Sequence, residues 1–564
     1  MLEHPSKRRF RSRSDAGRNL PSQWLLLQRT EWIVAILLSS LILFLLAVRA
    51  MHAGALWRDE CDAVQLAQMP RFADVLANLK YSSFPVLFPA ILRAYIALCG
   101  GSDLALRCFA FIVGALFVAA AWVHSLSESR QPPLLLLALI GLNLNFLTAG
   151  MWIRGYGIGA VFLLGTFTLV ARLIRRPTAA GFGAVCLASV AGAQCLFFDG
   201  VLMQGIFLGG LAVLFLDRQF KWALLLAGLA LVILLGYVPY SYRVMSFLGH
   251  VDHIGRATPV QVAAVSSASS WRGSMGACGA PTFVMPWVWL TVILGTAIGS
   301  ACRLILIWNK KSGGERDVLL FALIVIASSI LLFWGFFQWI RMIPLQRYYL
   351  ALFCLLAAAA DLALAHLCRF HWLRLVRIST VLIGTMTLPF AVWPQVLKRE
   401  TNIDILAEKL EKEAGSNDLI LVNSWSRGIS FNRYYHGPTR WMTVPNIQDH
   451  RMHRYDLLGA KMQEFFPIAD IEEAIATTLK SGNRVWVVND SKVNVKSGRA
   501  LVLTPAPDPK FGWRADIYSY AWAQQLFLFL QRHAGKINVP VRPQSFASNN
   551  NENASLIRAE GWEY

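Results

Sequence analysis

The stretch GVLMQGIFLGGLAVLFLDRQFKWALLLAGLALVILLGYVPY, from Gly200 to Tyr240, decides the class of fold. Two apolar runs, each near the length that crosses a hydrocarbon core of about 30 Å, flank a short loop with net positive charge. The pattern recurs along the 564 residues, of which 56% are hydrophobic and only 15% charged, against roughly a quarter charged in soluble domains. The sequence therefore predicts a polytopic α-helical membrane protein.

Loop charges orient the predicted spans. Four short, net positive loops belong on the cytoplasmic side: Arg175–Arg176, Asp217–Lys221, Asn309–Arg316 and Arg369–Arg377. Residues 1–31 form a basic cytoplasmic tail, and alternation from there places all four loops inside. The net charge of +20 is therefore assigned to the membrane surface, and no nucleic acid is expected as a partner. About eleven spans are predicted, at residues 32–51, 104–124, 133–149, 155–174, 180–198, 200–216, 222–240, 285–307, 317–339, 346–367 and 376–395.

One apolar run is excluded from the spans. Phe84 to Cys99 has Pro85 and Pro89 near its start and Arg93 in its middle, and a run this short is more often re-entrant or interfacial. Counting it as a span would also put all four basic loops outside. We therefore predict that residues 52–103 form one large outer loop that lies against the membrane, within a membrane domain of residues 32–397.

Beyond Lys398 the composition changes to that of a small extracytoplasmic α/β domain, residues 398–564. The predicted elements are a helix at Asn402–Gly415, a strand at Asp418–Asn423, a helix at Asp470–Ser481 and a strand at Arg484–Asn489. The apolar run Ile517–His533 has Gln524 and Gln525 at its centre, so we predict a docked amphipathic helix rather than a twelfth span. The Ser/Asn-rich segment Gln544–Ser555 is predicted to be mobile.

With this topology, the unusual polar residues collect on the outer side. Charged groups at membrane depth are costly and mark candidate sites. For each arginine the alternative is a side chain that simply reaches the lipid headgroups. Several arginines on the outer side are unusual, however, because positive charge is normally concentrated on the cytoplasmic side. Guanidinium groups also suit phosphate oxygens. The candidates are Asp59 and Glu60 with Arg58 in the first outer loop, Arg154 and Tyr156 after the third span, Asp199 ending the fifth, and Arg341, Arg347 and Tyr348 entering the tenth.

Asp59 has two interpretations. It is either the N-cap of the helical segment Cys61–Met69, or a general base held close to a lipid-borne substrate, a role that contributes about 10²–10⁴-fold to rate. A base and a phosphate clamp together describe the transfer of a sugar from a lipid phosphate to a hydroxyl or amine.

Five segments resemble the membrane-embedded GT-C glycosyltransferases, and within them the protein O-mannosyltransferase and aminoarabinose transferase group. They are WRDE at Trp57–Glu60, FPVLFPAILRAYIALCG at Phe84–Gly100, SDLALRCFAFIVGAL at Ser102–Leu116, IRGYGIGAVF at Ile153–Phe162 and RYYLALFCLL at Arg347–Leu356. The resemblance covers roughly residues 30–400. It departs where many members carry His-Pro-Pro-Leu and this chain has Ser83-Phe84-Pro85-Val86.

The resemblance implies a role for each matched residue. Asp59 takes the place of the catalytic aspartate with Glu60 as its acidic neighbour, and Arg154, Tyr156, Arg347 and Tyr348 match residues near the donor phosphate. It also implies a polyprenyl-phosphate sugar as donor and inversion at the anomeric carbon.

The sequence thus predicts an inverting glycosyltransferase of a bacterial inner membrane, with Arg341 at the donor phosphate and Arg58 and Asp199 at the substrate. Its partners would be the lipid-linked donor, membrane lipids and an envelope glycan, lipid or protein as acceptor. A lipid-linked glycan flippase and a polysaccharide ligase remain alternatives. No cofactor is required, although a divalent metal stays open; the pairs His250–His253 and His450–His453 have a suitable spacing, but exposed loop histidines are the commoner case.

Overall fold

The structure is a computed structural model that describes residues 22–241, 284–308, 314–340, 344–367, 371–489, 499–544, 547–549 and 552–564. Within these ranges, nine helices are long and apolar enough to cross a membrane, and a pair bent by 69°, Leu134–Gly141 and Leu144–Met151, would make a tenth. A shorter apolar helix, Ala179–Ala193, matches the one remaining predicted run. The fold is that of a multi-pass helical membrane protein, while the total of eleven spans stays a prediction. The nine helices are Leu25–His52, Asp103–Glu128, Gly155–Arg175, Phe197–Leu216, Phe220–Ser241, Pro286–Ile307, Glu315–Trp339, Gln346–Leu367 and Trp372–Val396.

The predicted outer loop is built from short helices. They are Arg58–Ala67, Phe72–Asn78, a 3₁₀ turn at Leu79–Tyr81, and Leu87–Cys99. Arg93 explains why the last of these is no ordinary span, because its guanidinium donates to the backbone oxygens of Ala67 at 2.9 Å and Pro70 at 3.0 Å. The charge in the middle of the apolar run thereby closes the end of the neighbouring helix.

The predicted cytoplasmic end of the bundle is held by buried ion pairs. Arg377 donates to Glu31 at 3.0 Å and to Gln131 at 2.7 Å, and Arg374 also pairs with Glu31. The N-terminal part of the first long helix, the loop after the second and the start of the last therefore meet at one end, as the alternating topology requires.

The C-terminal part contains a five-stranded mixed sheet with the order β2-β1-β3-β5-β4. The strands are β1 Leu419–Asn423, β2 Arg440–Thr443, β3 Val485–Asn489, β4 Ala534–Val541 and β5 Ser555–Trp562. β1 pairs in parallel with β2 and β3, while β5 runs antiparallel to β3 and β4. Helices of this part are Ile403–Glu413, Gly428–Tyr434, Tyr455–Met462, Ala469–Lys480 and Ala515–His533.

The α/β class of the C-terminal part is confirmed, and two of its strands lie where the sequence predicts them. The helix Ala515–His533 packs Tyr518, Trp522 and Leu526 into the core of this part, so it is docked and not a span. β2, β4 and β5 were not predicted. In the segment predicted to be mobile, Ser548 bridges to Arg399, and the mobility itself stays a prediction.

The C-terminal part is tied to the membrane part by specific contacts. Tyr434 accepts from the backbone N–H of Leu56 at 2.6 Å and donates to Asp103 at 2.7 Å, and Arg433 also pairs with Asp103 at 2.8 Å. Glu400 pairs with Arg49 and accepts from the indole of Trp152 at 2.9 Å. The two parts therefore share the end of the bundle that carries the outer loop.

Candidate active site

The start of the helix Arg58–Ala67 fixes the first carboxylates. Trp57 occupies the N-cap position, and the side chain of Glu60 accepts from the Trp57 N–H at 3.2 Å, so that Glu60 supplies the capping contact. The alternative that Asp59 caps this helix is therefore wrong. Asp59 lies in the first turn, where the helix dipole favours negative charge.

Asp59 is buried, with 5% of its surface exposed, and is surrounded by cations. Arg58 donates from Nε to Oδ1 at 2.9 Å. On the other oxygen, Oδ2, the guanidinium nitrogens of Arg154 and Arg347 lie at 3.9 Å and 4.0 Å. Three of the predicted arginines thus meet at one carboxylate: Arg58 of the outer loop, Arg154 after the third predicted span and Arg347 at the start of the tenth.

The electrostatics of Asp59 follow from these neighbours. Burial alone raises the pKa of a carboxyl, but the charges of Arg58 and Arg154 outweigh it. The pKa of Asp59 therefore lies well below its ordinary value. The group is an ionised carboxylate in this state and a weak base until a neighbouring cation is withdrawn.

Arg154 is positioned by close backbone packing. It precedes the helix Gly155–Arg175, where a Cβ on Gly155 would lie 2.5 Å from the Cys195 oxygen and one on Gly157 would lie 2.2 Å from the Gly150 oxygen. Only glycines allow this approach. The guanidinium then lies 4.5 Å from the centre of the Phe84 ring and donates to the backbone oxygen of Asp59 at 2.7 Å. Arg154 thus fixes the helix that carries the carboxylate.

Arg347 lies in the 3₁₀ turn that begins the tenth predicted span. Its side chain is 23% exposed, and its guanidinium carbon lies 5.4 Å from the ring centre of Tyr348 and 6.0 Å from that of Trp152. Among the described residues its Nε has no hydrogen-bond partner. Tyr156 is buried beside this aromatic group, with its ring centre 6.3 Å from that of Tyr348.

Glu60 points to a different set of partners. Arg107 donates from both terminal nitrogens, at 2.7 Å and 3.1 Å, and the Ile153 N–H donates at 2.9 Å. With the capping bond from Trp57, both carboxylate oxygens are occupied by the protein. On this geometry Glu60 holds Arg107 and the start of the helix, and a catalytic role for Glu60 stays a prediction.

Two site residues were missed by the sequence reasoning. Asp62 is one turn after Asp59 on the same helix face and lies 3.5 Å from Arg154. His453, expected to be an exposed loop residue, is 8% exposed and places Nε2 3.6 Å from Oδ1 of Asp59. The spacing of Asp59 and Asp62 was a usable signal; for His453 the sequence offered only the pair His450–His453.

The C-terminal part forms one wall of this cluster. Ser426 follows β1 and accepts from Arg58 at 3.2 Å, whereas His453 lies in the chain that follows β2. Glu552, which precedes β5, accepts from the backbone N–H of Arg58 at 3.2 Å. In open α/β sheets, the carboxyl ends of parallel strands are where ligands bind, and here the segments after two such strands reach Asp59 and its arginine.

Asp199 is not part of this cluster. Asp199 is fully buried beside Gly159, and among the described residues neither of its oxygens has a hydrogen-bond partner. No contact joins it to Asp59 in the described part of the chain. Arg341 lies outside the described residues, as do His250 and His253.

Among the residues that the structure describes, no group of three or more histidine, cysteine, aspartate or glutamate side chains is arranged to hold a metal ion. Asp59 instead has arginines as its neighbours, and these supply the positive charge at the site.

The fold and the site define a polytopic membrane protein in which an outer loop, two span ends and a second domain meet at an arginine-bound carboxylate. No protein-family model matches the chain, and no curated protein matches it by sequence.

Several solved structures are similar to this chain. A crystal structure of ArnT from Cupriavidus metallidurans bound to undecaprenyl phosphate is 15% identical, with a TM-score of 0.46 over 86% of this chain and 97% of that one. A crystal structure of the Archaeoglobus fulgidus oligosaccharyltransferase with Zn and sulfate is 12% identical, with a TM-score of 0.44 over 90% of this chain and 72% of that one.

The cryo-EM structure of arabinosyltransferase EmbB from Mycobacterium smegmatis is 15% identical, with a TM-score of 0.31 over 64% of this chain. The matched region spans 32% of EmbB. At these TM-scores the resemblance to the GT-C class stays a prediction. Because one fold serves many activities, the function is argued from the site itself.

Proposed function

We propose that this chain is an inverting glycosyltransferase that moves one sugar from a polyprenyl-phosphate donor to a cell-envelope acceptor. The reaction would occur at the non-cytoplasmic face of a bacterial inner membrane. The observation that supports it most directly is the placement of Asp59 between Arg154 and Arg347, at the ends of two spans. A headgroup that approaches from the bilayer meets a base and a phosphate clamp at the same depth.

The charge balance of the site favours an anionic ligand. Three guanidinium groups, from Arg58, Arg154 and Arg347, face the two carboxylates of Asp59 and Asp62. The excess of one positive charge matches the single negative charge of a phosphodiester. Arg347 is the member best suited to bind it, because it is partly exposed and only 4.0 Å from Asp59, too far for a direct hydrogen bond.

The chemistry then follows as a single displacement. Asp59 accepts the proton of the acceptor hydroxyl or amine, and the freed electron pair attacks the anomeric carbon opposite the phosphate. The bond from that carbon to the phosphate oxygen breaks, and Arg347 with Arg154 stabilises the charge that develops there. Tyr156 and Tyr348 pack beside Arg347 and fix its direction.

Donor binding also activates the base. As the phosphate binds Arg347, the positive charge that this residue directs at Asp59 is neutralised. The pKa of Asp59 then rises from its lowered value, because fewer unpaired cations favour its ionised form. The carboxylate is then a stronger base than in the empty site, although Arg58 and Arg154 still face it. The envelope acceptor would reach Asp59 between the outer loop and the C-terminal domain.

Transfer by the purified full chain in lipid tests this proposal. Polyprenyl-phosphate sugars from an envelope extract are offered to wild type and Asp59→Asn, with loss of donor and labelling of acceptor followed together. A drop of about 10²-fold or more in a folded variant supports the base. Asp74→Asn, which alters a partly exposed carboxylate paired with Arg71 on the same outer loop, is the matched control.

Other outcomes would contradict the proposal. Equal transfer by Asp59→Asn would remove the base role. Passage of the donor across the bilayer without transfer would favour the flippase, and joining of polymer chains from a lipid pyrophosphate would favour the ligase.

A further inference from the structure

We infer that His453 of the C-terminal domain is the second member of a proton relay, which receives from Asp59 the proton that leaves the acceptor. This inference rests on the proposed function and deepens it. In this scheme His453 acts through Asp59, while Asp62 orients the imidazole. The C-terminal domain would thus contribute a working group to the membrane site in addition to covering it.

The geometry of His453 supports a relay. Its Nδ1 lies 3.2 Å from Oδ1 of Asp62, and its Nε2 lies 3.6 Å from Oδ1 of Asp59. A proton on Nδ1 directed at Asp62 leaves the lone pair of Nε2 facing Asp59. The backbone N–H of His453 also donates to Asp62 at 3.1 Å, so the carboxylate that lies beside Nδ1 also holds the backbone of His453. This tautomer is the one that can accept a proton from Asp59.

The ring is further fixed by aromatic neighbours. Tyr455 stacks on it with ring centres 5.7 Å apart, and Trp425 meets it edge-on at 6.2 Å. Burial raises the pKa of Tyr455 to about 12, so this neighbour stays neutral in the working range. The charged groups that face the imidazole are then the two carboxylates of Asp59 and Asp62, with Arg58 and Arg154 behind them.

The loop that carries His453 is held in place on both sides. Arg454 pairs with Asp449 at 2.8 Å and with Asp456 at 2.7 Å. Tyr81 of the outer loop donates to Asp456 at 3.0 Å, and the Arg454 guanidinium lies 5.0 Å from the Tyr81 ring centre. Contacts of this kind between the two parts place the imidazole at Asp59 before any substrate arrives.

A relay answers a chemical need of the site. Asp59 is surrounded by arginines, so a proton placed on it is held weakly and would return to the acceptor oxygen. The negative charge of Asp62, 3.2 Å from Nδ1, stabilises the imidazolium that forms when His453 accepts the proton. Transfer of the proton to His453 restores the ionised Asp59 beside the leaving phosphate.

Atoms and charges balance along this path. The acceptor O–H or N–H bond breaks, its electron pair forms the new bond to the anomeric carbon, and the phosphate oxygen keeps the electron pair of the bond that breaks. The proton passes from Asp59 to Nε2 of His453 and then to water when the product leaves. No oxidant, reductant or further reactant is needed.

The test uses the full chain in lipid, with kcat and KM measured from pH 5 to 9 for wild type, His453→Gln, His453→Ala and Asp62→Asn. His450→Gln is the matched control, because His450 lies in the same loop and packs on Trp441 with ring centres 4.3 Å apart. We expect His453→Gln to lower kcat by about 10²-fold, the lower part of the general-base range, with the KM for donor unchanged and a pH profile that loses one ionisation. Added imidazole should restore part of the kcat of His453→Ala.

The outcomes separate the relay from the proposed function. Loss of transfer in Asp59→Asn together with wild-type kcat and pH profile in His453→Gln would overturn the relay alone. Loss of activity in His453→Ala that imidazole does not restore, with a raised KM for donor, would assign His453 a purely structural role and also overturn the relay. A wild type that transfers no sugar would instead contradict the proposed function.

Discussion

Replacement of Glu60 by Gln should destabilise the protein and leave the chemistry of the folded fraction intact. Glu60 and Arg107 are both buried, with the two terminal nitrogens of Arg107 at 2.7 Å and 3.1 Å from the carboxylate. The neutral amide strands a buried guanidinium, and loss of one partner of a buried pair costs about 3–5 kcal/mol. Arg107 keeps its bonds to the backbone oxygens of Gly54 and Ala55. We therefore expect the free energy of unfolding to fall by about 3 kcal/mol, at the lower end of that range.

The assay is reversible unfolding in mixed micelles with increasing dodecyl sulfate, followed by far-ultraviolet circular dichroism, with transfer measured where the variant is still folded. Glu60→Gln combined with Arg107→Met removes the stranded charge, so part of the stability should return. Asp74→Asn on the exposed outer loop should unfold like wild type. Unchanged stability of Glu60→Gln with transfer reduced a hundredfold would refute this reasoning and return Glu60 to the chemistry.

Three further predictions follow from the same geometry. Arg347→Gln should lower kcat by about 10²–10³-fold, the usual cost of losing one donor at a developing oxyanion. The kcat of Arg347→Lys should fall between those of Arg347→Gln and wild type, because lysine keeps the charge but not the two-pronged guanidinium. Single-turnover rates measure this, and equal rates for the three proteins would contradict the prediction. Because the folded-state pKa of Asp59 is lowered, its stabilising charge interactions are complete above the ordinary carboxyl pKa of about 4 and are lost as the pH falls toward the lower folded value. The gap in melting temperature between wild type and Asp59→Asn should therefore stay constant from pH 5 to 8 and narrow in stronger acid, and a gap that narrows already between pH 7 and 5 would be inconsistent with a lowered pKa. Tyr434→Phe removes the hydroxyl that bridges Leu56 and Asp103, so limited proteolysis should release the C-terminal part more readily at a cost of about 1–3 kcal/mol; an unchanged cleavage rate would show that this bridge does not hold the domain.

The membrane part of the fold was largely predictable because hydrophobicity and loop charge act locally. The run Phe84–Cys99 was separated from the spans by its prolines and Arg93, and the structure shows that arginine bound to backbone oxygens in the outer loop. Once the topology is set, Arg154 and Arg347 must lie at the same end as Asp59, and their convergence follows.

The remainder depends on contacts that join distant parts of the chain. His453 donates its backbone N–H to Asp62 across 391 positions, and no local pattern encodes that pairing. β4 and β5 are half-exposed strands with an irregular burial pattern, so they lack the clean apolar runs that revealed β1 and β3. The different partners of Asp59 and Glu60 could not be predicted from the sequence either, because consecutive residues on a helix point in different directions.

The bond from the Arg58 N–H to Glu552 has a consequence for how the protein is made. The two residues are 494 positions apart, and eight of the nine described helices that are long and apolar enough to cross a membrane lie between them in the sequence. During synthesis the bundle enters the bilayer well before Glu552 leaves the ribosome. The first turn of the helix that carries Asp59 therefore forms its hydrogen bond to Glu552 only after the bundle is inserted. The free edge of β3 is likewise paired late, because β5 follows the bundle in the sequence. Under the proposed function, a nascent chain would hold an incomplete site, and sugar transfer would begin only when the C-terminal part has folded.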